Sequence, residues 1–541
     1  MQGPSHGLPS EPGPAGQDGD RAGGPAIGVI ITVATVLALV LRVYRLTHPG
    51  LLVVSQYDDG AYFGSAVRLV HGAIPYRDFV MVQPPGITLL MSPAALLSYL
   101  SGTAWAMVLG RLLTAAAGAA AVLLIGLLVR HRGALAVAVA CGIATIYPAS
   151  IVAAHTILLE PWLVLACLAG AVAVFDRDQL TASTRRLAWG GAAFGFAGAV
   201  KAWAIVPVVV LLVLCLPQLR RAAIFAAGVA AGFLVPVLPF AALAPRRFFV
   251  GVISAQLNRG GGRTPVLHRV ADLVGVSFRT STTALLLGLV LIVAFVATAY
   301  LVSWRRTQQP LAALDTFALA GSVLVIIMLL WPPYYAAHYM AFFMPFLALT
   351  LALAVSRLAA SGVLAAGRPA ARRWLGWLAA GIITVAVVAG AVNMAQTVNP
   401  VRHGDGVAIR GAIPRGACVV TDQASYLLLA NRFVASQPGC PDMVDGLGTD
   451  LVLSGGRSPA TGAAQAPAVR AAWQQAFSHA QYLLLSHKAA LRVAWTPALR
   501  AYLVSDFRLI LTGRHYQVYQ RRQQPPACCL VRNRLVTKAR P

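Results

Sequence analysis

What most constrains this chain is a recurrence. Apolar stretches of roughly 18–25 residues return along 26–395, separated by short polar or basic segments. A helix rises about 1.5 Å per residue, so ~20 such residues match the ~30 Å hydrocarbon core of a bilayer, where a helix satisfies its own backbone. The chain is 58% hydrophobic and 11% charged with a mean hydropathy of +0.71, more apolar surface than one aqueous core can bury. The expected fold is an all-α polytopic membrane domain.

The runs predict about eleven transmembrane helices, at 26–44, 104–129, 133–150, 155–175, 187–200, 203–216, 222–244, 282–303, 312–331, 337–359 and 373–395. ITLLMSPAALLSYL (87–100) is too short and too proline-interrupted to span, and reads as an interfacial half-helix. Residues 1–25, rich in Gly, Pro and Ser, read as a disordered cytoplasmic tail. The first run lacks a basic n-region and a small-residue cleavage site, so it reads as a retained span rather than a signal peptide.

The net charge of +26 is one of topology, not of nucleic-acid binding: RHR (130–132), RDQLTASTRR (177–186), QLRR (218–221), WRRTQQ (304–309) and RPAARR (368–373) fall on one side of the expected spans. That side is predicted to be cytoplasmic in a cell (plasma) membrane, with the N-terminus. Arg42 and Arg45 break the pattern, and either snorkel or serve a site. The other side then carries the loop 46–103, the loop 245–281, the turn WPPYYAAHY (331–339) and everything after 396.

The region 396–520 changes character. ACVVTD, YLLLS, FRLIL and YQVYQ read as strands and APAVRAAWQQAFSHA (466–480) as an amphipathic helix, which predicts a C-terminal extracytoplasmic α/β domain before a basic flexible tail, 521–541. The seven cysteines form no CxxC pair, which argues against structural zinc; Cys418 and Cys440 would bridge if that domain faces an oxidising compartment. Only three lysines occur, Lys201, Lys488 and Lys538, and the Arg, Ala, Val and Gly bias points to a high-GC bacterial genome.

Acids are scarce, so their placing is informative. SQYDDGAYF (55–63) sets Asp58 and Asp59 side by side at the start of a short helix; one of them alone is an adequate cap, but two neighbouring carboxylates near hydrocarbon point to a site. PYRDFVMVQPPG (75–86) adds Asp78 and a rigid turn, Gln83-Pro84-Pro85-Gly86, which either returns the chain to the membrane or touches substrate. Glu160 in HTILLEPW is the only acid near its spans, and Lys201 in GAVKAWAIVP suits an anionic head group or snorkels. QLNRGGGRTPVLHR (256–269) offers Arg259, Arg263, His268 and Arg269 as a phosphate clamp or a solvated linker, its glycines matching no nucleotide-binding fingerprint. His338 and Tyr339 end a span in an aromatic belt.

In their order and sidedness these residues resemble the GT-C superfamily of polytopic glycosyltransferases, especially the protein O-mannosyltransferase and lipid-A aminoarabinose transferase type. The match runs through Asp58-Asp59, Gln83-Pro84-Pro85-Gly86, Glu160-Pro161, Lys201, and His338-Tyr339 with Pro345, over residues 26–395. Asp-Asp and Gln-Pro-Pro depart from the Asp-Glu or Asp-x-Asp and Lys-Pro-Pro or His-Pro-Pro common in that group. Donor and acceptor identity therefore do not transfer, and the need for a divalent cation stays open.

The resemblance implies transfer of a sugar from a polyprenyl-phosphate donor to an extracytoplasmic glycan, lipid or protein, with inversion. Mannose is the expected sugar, and arabinofuranose for a cell-wall polysaccharide the alternative in an actinobacterial-looking sequence. Asp58 is expected as general base, with Asp59 orienting it or holding Mg or Mn together with Glu160. Lys201, Arg263 and Arg259 would bind the lipid phosphate, while Glu160, Asp78, Gln83, His338 and Tyr339 would position acceptor or metal. A transporter or lipid flippase would instead place polar residues at mid-bilayer in inverted repeats, which the chain does not display.

Overall fold

The computed structural model of the chain describes residues 18–47, 50–260, 264–274, 282–361 and 406–522. The expected span 373–395, most of the N-terminal and C-terminal tails, and Arg263 lie outside the described residues.

In chain order the membrane part comprises α1 (Asp18–Thr47), α2 (Asp58–Val70), α3 (Gly86–Leu96), α4 (Ser98–Val129), α5 (Ala134–Ile146), α6 (Pro148–Ala154), α7 (Glu160–Val174), α8 (Thr184–Val200), α9 (Ile205–Cys215) and α10 (Leu219–Leu243). Short pieces α11 (Pro245–Phe249) and α12 (Ala255–Leu257) lead to α13 (Val266–Val274), α14 (Thr282–Thr307), α15 (Ala313–Leu330) and α16 (Met344–Ala360). Among the described residues six helices are long and apolar enough to cross a membrane, seven if the α5–α6 pair, bent by 54°, is one span. The chain is a multi-pass membrane protein.

The expected count of eleven is therefore not reached among the described residues. Of the four runs missing from the count, 373–395 is outside the described residues, and 155–175, 187–200 and 203–216 give helices of only 15, 17 and 11 residues. Their ends are set by Glu160 and by the break at Lys201, polar positions where regular helix stops. The segment 87–100, expected as one half-helix, divides instead into the 11-residue α3 and the start of α4.

α8 is held to α10 by Gly191, Gly195, Gly228 and Gly232, where an added Cβ would sit 2.0–2.4 Å from the opposing backbone. Small residues let membrane helices approach to this distance. The contact fixes the end of α8, and so the start of the Lys201 break.

After residue 405 the chain forms a small domain on a four-stranded sheet. β3 (Val419–Thr421) lies parallel to β4 (Tyr482–Ser486), which pairs antiparallel with β6 (Tyr516–Arg521), itself antiparallel to β5 (Phe507–Thr512), in the order β3-β4-β6-β5. A hairpin on the membrane part, β1 (Phe175–Asp176) with β2 (Gln179–Leu180), is the other sheet. Trp473 and Phe477, from the helix Pro467–His479, pack on Leu483, Leu485 and Phe507.

This domain is seated on the membrane part through one continuous core. Phe63 and Val67 of α2 share a cluster with Leu427, Leu428, Phe433 and Val444. Thr103 donates to the Leu428 carbonyl at 2.5 Å, Asn431 accepts from the Ala104 N–H at 2.8 Å, and Arg68 pairs with Asp442 at 2.7 Å. Cys418 and Cys440 are joined in a disulfide.

Candidate active site

The two adjacent carboxylates open α2, and neither caps it through its side chain: Tyr57 holds the cap position and both acids lie in the first turn. There they favour the positive end of the helix dipole. Successive residues on a helix point about 100° apart, so the pair cannot share surroundings. Asp59 turns inward, buried, and Asp58 is left half-buried.

Asp59 is fully buried and fully engaged. Its Oδ2 lies 2.7 Å from Arg111 Nη2 and accepts from Thr156 Oγ1 at 2.6 Å and Ser55 Oγ at 3.2 Å, while Oδ1 accepts from Ser425 Oγ at 2.7 Å. Arg111 in turn donates to the carbonyls of Leu51 and Val53, tying the start of the loop to α4. A carboxylate that accepts from four donors, one of them a guanidinium, is neutralised and anchored where it stands.

Asp58 is half-buried, and among the described residues no hydrogen bond or ion pair engages its carboxylate. It lies within electrostatic reach of Lys201, Arg259, Tyr62, Tyr334, Tyr339 and Asp445. Tyr62 follows it by four positions, on the same face of α2.

Opposite stands a buried pair. Lys201 Nζ donates to Glu160 Oε1 at 2.6 Å, both side chains being under 8% exposed, and His338 Nε2 stands 4.0 Å from the same oxygen. Lys201 also lies over the rings of Trp203 and Tyr339, 3.4 and 4.1 Å from their centroids, so aromatic faces supply what water would. The turn at Gln83-Pro84-Pro85 ends with Gly86 against the backbone of Ala199 and Val200, where a Cβ would be 2.5 Å from the Ala199 carbonyl oxygen. The turn thus packs directly beside the Lys201 break.

Arg259 completes the cationic side, its guanidinium 3.5 Å from the Tyr334 ring centroid. The fourth side comes from the C-terminal domain. Asp445 opens the helix Gly446–Ser454, accepts from Gly448 N–H at 2.7 Å and from Tyr57 Oη at 2.6 Å, and Arg492 covers the Tyr57 ring. Burial pushes the Asp445 carboxyl above its ordinary range, and Tyr57 and the Gly448 N–H oppose that push.

Of the residues predicted from sequence, the structure gathers Asp58, Glu160, Lys201, Arg259, His338 and Tyr339. It does not gather Asp78, which is held by Arg77 at 2.8 Å, accepts from Ile74 N–H at 2.7 Å, and lines a separate cleft with Arg247 and Asp442. Gln83 contributes its carbonyl to Tyr76 Oη at 2.6 Å, a turn-building contact. Arg269 is spent on the carbonyls of Leu330, Pro332 and Pro333 at the end of α15. As for the expected sharing of Mg or Mn between Asp59 and Glu160, each already pairs with a side-chain cation, Arg111 and Lys201, while Glu160 Oε2 is buried without a hydrogen-bond partner. Among the described residues no three His, Cys, Asp or Glu side chains gather as metal ligands.

Three contributors were invisible to sequence reasoning. Tyr62 had a signal, its i+4 spacing from Asp58. Arg111 and Asp445 had none, since neither lies near Asp58 in the chain.

The arrangement of spanning and broken helices, first loop and seated sheet domain is a fold found in solved structures of other proteins. Two structures of ArnT from Cupriavidus metallidurans share it: the apo form at a TM-score of 0.55, with 16% identity over 92% of this chain and 98% of that chain, and the form bound to undecaprenyl phosphate at 0.53, with 16% identity over 91% and 97%. An Archaeoglobus fulgidus oligosaccharyltransferase tethered with an acceptor peptide aligns at 0.48, with 12% identity over 92% of this chain and 74% of that one. No protein-family model and no curated protein matches the sequence.

Proposed function

We propose that the protein is a membrane glycosyltransferase that moves a sugar from a polyprenyl-phosphate donor to an acceptor hydroxyl. The observation that carries this is one free, half-buried carboxylate, Asp58, within electrostatic reach of two cations, Lys201 and Arg259, in a chain of this fold. Its structural neighbour ArnT is found bound to undecaprenyl phosphate, a ligand of the class that such cations suit.

In this reading Asp58 takes the proton of the acceptor hydroxyl as that oxygen attacks the anomeric carbon. The bond from that carbon to the phosphate oxygen breaks, and the polyprenyl phosphate leaves with the electron pair. Lys201 and Arg259 stabilise the charge that develops on it, and one direct displacement inverts the anomeric centre. Glu160 keeps Lys201 in place, with His338 and Tyr339 closing the wall. No step passes through a metal ion.

The reading places the site and the C-terminal domain outside the cytoplasm and the N-terminus within it. The Cys418–Cys440 disulfide supports that sidedness, because such bonds persist in oxidising compartments. Mannose is the sugar we put first, and arabinofuranose second; the acceptor is a glycan, lipid or protein on the outer face.

The test is incorporation of radiolabelled sugar from polyprenyl-phosphate mannose and arabinofuranose donors by membranes carrying the full chain. Asp58→Asn is expected to lower the rate by about 10²–10⁴-fold. Equal rates in both would remove Asp58 from the chemistry, and no incorporation from either donor would turn the case toward transport.

A further inference from the structure

A second cationic site lies at the opposite membrane boundary. From Arg111, beside Asp59, α4 runs to Val129, about 27 Å at 1.5 Å per residue, close to the thickness of a bilayer core. There the 3-10 turn Arg130–Arg132 faces the β1–β2 hairpin, whose two turn residues are Arg177 and Asp178.

Between them lies an open cleft of about 880 Å³, with Ile27 and Leu127 among its apolar lining and Arg130, Arg132 and Arg177 among its basic lining. The rim is fixed by buried chemistry. Asp178 is held by His131 at 2.6 Å and Arg132 at 2.8 Å, and Arg132 continues to the buried Asp315 at 3.3 Å, which Arg357 also holds at 2.8 Å. Arg130 and Arg177 are different: both are exposed, and neither makes an ion pair among the described residues.

Arg177 also has φ of +54°, a conformation the two-residue hairpin demands and glycine or asparagine would meet more easily. The chain places a guanidinium there instead. Below the rim, Ile31 of α1 continues the apolar lining from Ile27, one helical turn on.

We propose that this cleft binds an anionic phospholipid, Arg130 and Arg177 taking the headgroup phosphate and the acyl chains lying along α1. Guanidinium groups match phosphate oxygens, and basic pockets between membrane helices favour such headgroups. The apolar lining, from Ile27 and Ile31 of α1 to Leu127 and Leu128 of α4, selects a lipid over a free phosphate.

The experiment titrates the detergent-solubilised full chain with dioctanoylphosphatidylglycerol and reads the thermal midpoint, with dioctanoylphosphatidylcholine and glycerol 1-phosphate as parallel arms. Phosphatidylglycerol is expected to raise the midpoint saturably, and the other two to leave it unchanged. R130Q/R177Q should weaken that binding by about 25-fold, roughly five-fold per arginine, with its own midpoint in phosphatidylcholine preserved. If that midpoint falls, R130Q alone is the variant read, with about five-fold expected. R305Q/R306Q, removing the basic pair that ends α14, should bind as the wild type does.

Three results would each overturn the proposal: no saturable response to phosphatidylglycerol in the wild type, wild-type binding in R130Q/R177Q, or an equal loss in R305Q/R306Q. Stabilisation by glycerol 1-phosphate to the same extent would also overturn it, in favour of a free-phosphate site.

Discussion

Asp58 and Asp59 are separated by one peptide bond and by about 100° of helix rotation, and that rotation divides their work. Asp59 closes a network of Arg111, Thr156, Ser55 and Ser425, whereas Asp58 is left facing Lys201 and Arg259. The Glu160–Lys201 pair obeys the same economy of charge. Replacing Glu160 by Gln leaves an ammonium buried without its counterion, a change expected to cost about 3–5 kcal/mol. Glu160→Gln with Lys201→Met should recover most of that loss, which a double-mutant cycle of thermal midpoints in a neutral detergent would read. A double variant as unstable as the sum of its singles would mean the pair does not act as a unit.

Among elements, the contact between α2 and the C-terminal domain matters most. A Cβ on Gly60 would lie 2.4 Å from both the backbone nitrogen and Oγ of Ser425, so the two elements touch through the missing side chain. Gly60→Val is expected to release the domain from its seat; limited proteolysis should then cut within 406–522 while the membrane part stays intact, and unchanged resistance would contradict the contact. Inside the domain, Asp450 is fully buried, accepts from Trp473 Nε1 at 2.7 Å, and burial raises its carboxyl to about 7. A raised carboxylate pKa favours the folded state at low pH, and that contribution is lost as pH climbs from about 4 through 7. Asp450→Asn should flatten the fall in thermal midpoint between pH 5 and 8, and an unaltered slope would assign it to other groups. These elements were legible in the sequence to different degrees. The strands and the helix at 466–480 announced themselves by period. The short α7 and α9 did not, because an apolar run shows its composition but not where a buried Glu160 or Lys201 ends the helix.

The whole molecule is a membrane scaffold whose candidate site draws residues from both of its parts. The order Asp58, Gln83-Pro84-Pro85, Glu160, Lys201, His338-Tyr339 pointed to the fold, and its sidedness gathered most of the candidates on one face. The full set of surroundings was not legible: Asp445 meets Tyr57 from 387 positions beyond Asp58, and Arg111 disarms Asp59 from the next spanning helix. No local pattern carries such information: the Asp445 contact arises only when the C-terminal domain is seated, and the Arg111 contact only when α2 packs on α4. The division of labour at α2 is most directly tested by comparing donor binding with turnover in Asp58→Asn. Equilibrium binding of polyprenyl-phosphate sugar to the purified variant should match the wild type, while single-turnover transfer falls by about 10²-fold or more. Binding lost in proportion to turnover would contradict the assignment of Asp58 to the acceptor's proton.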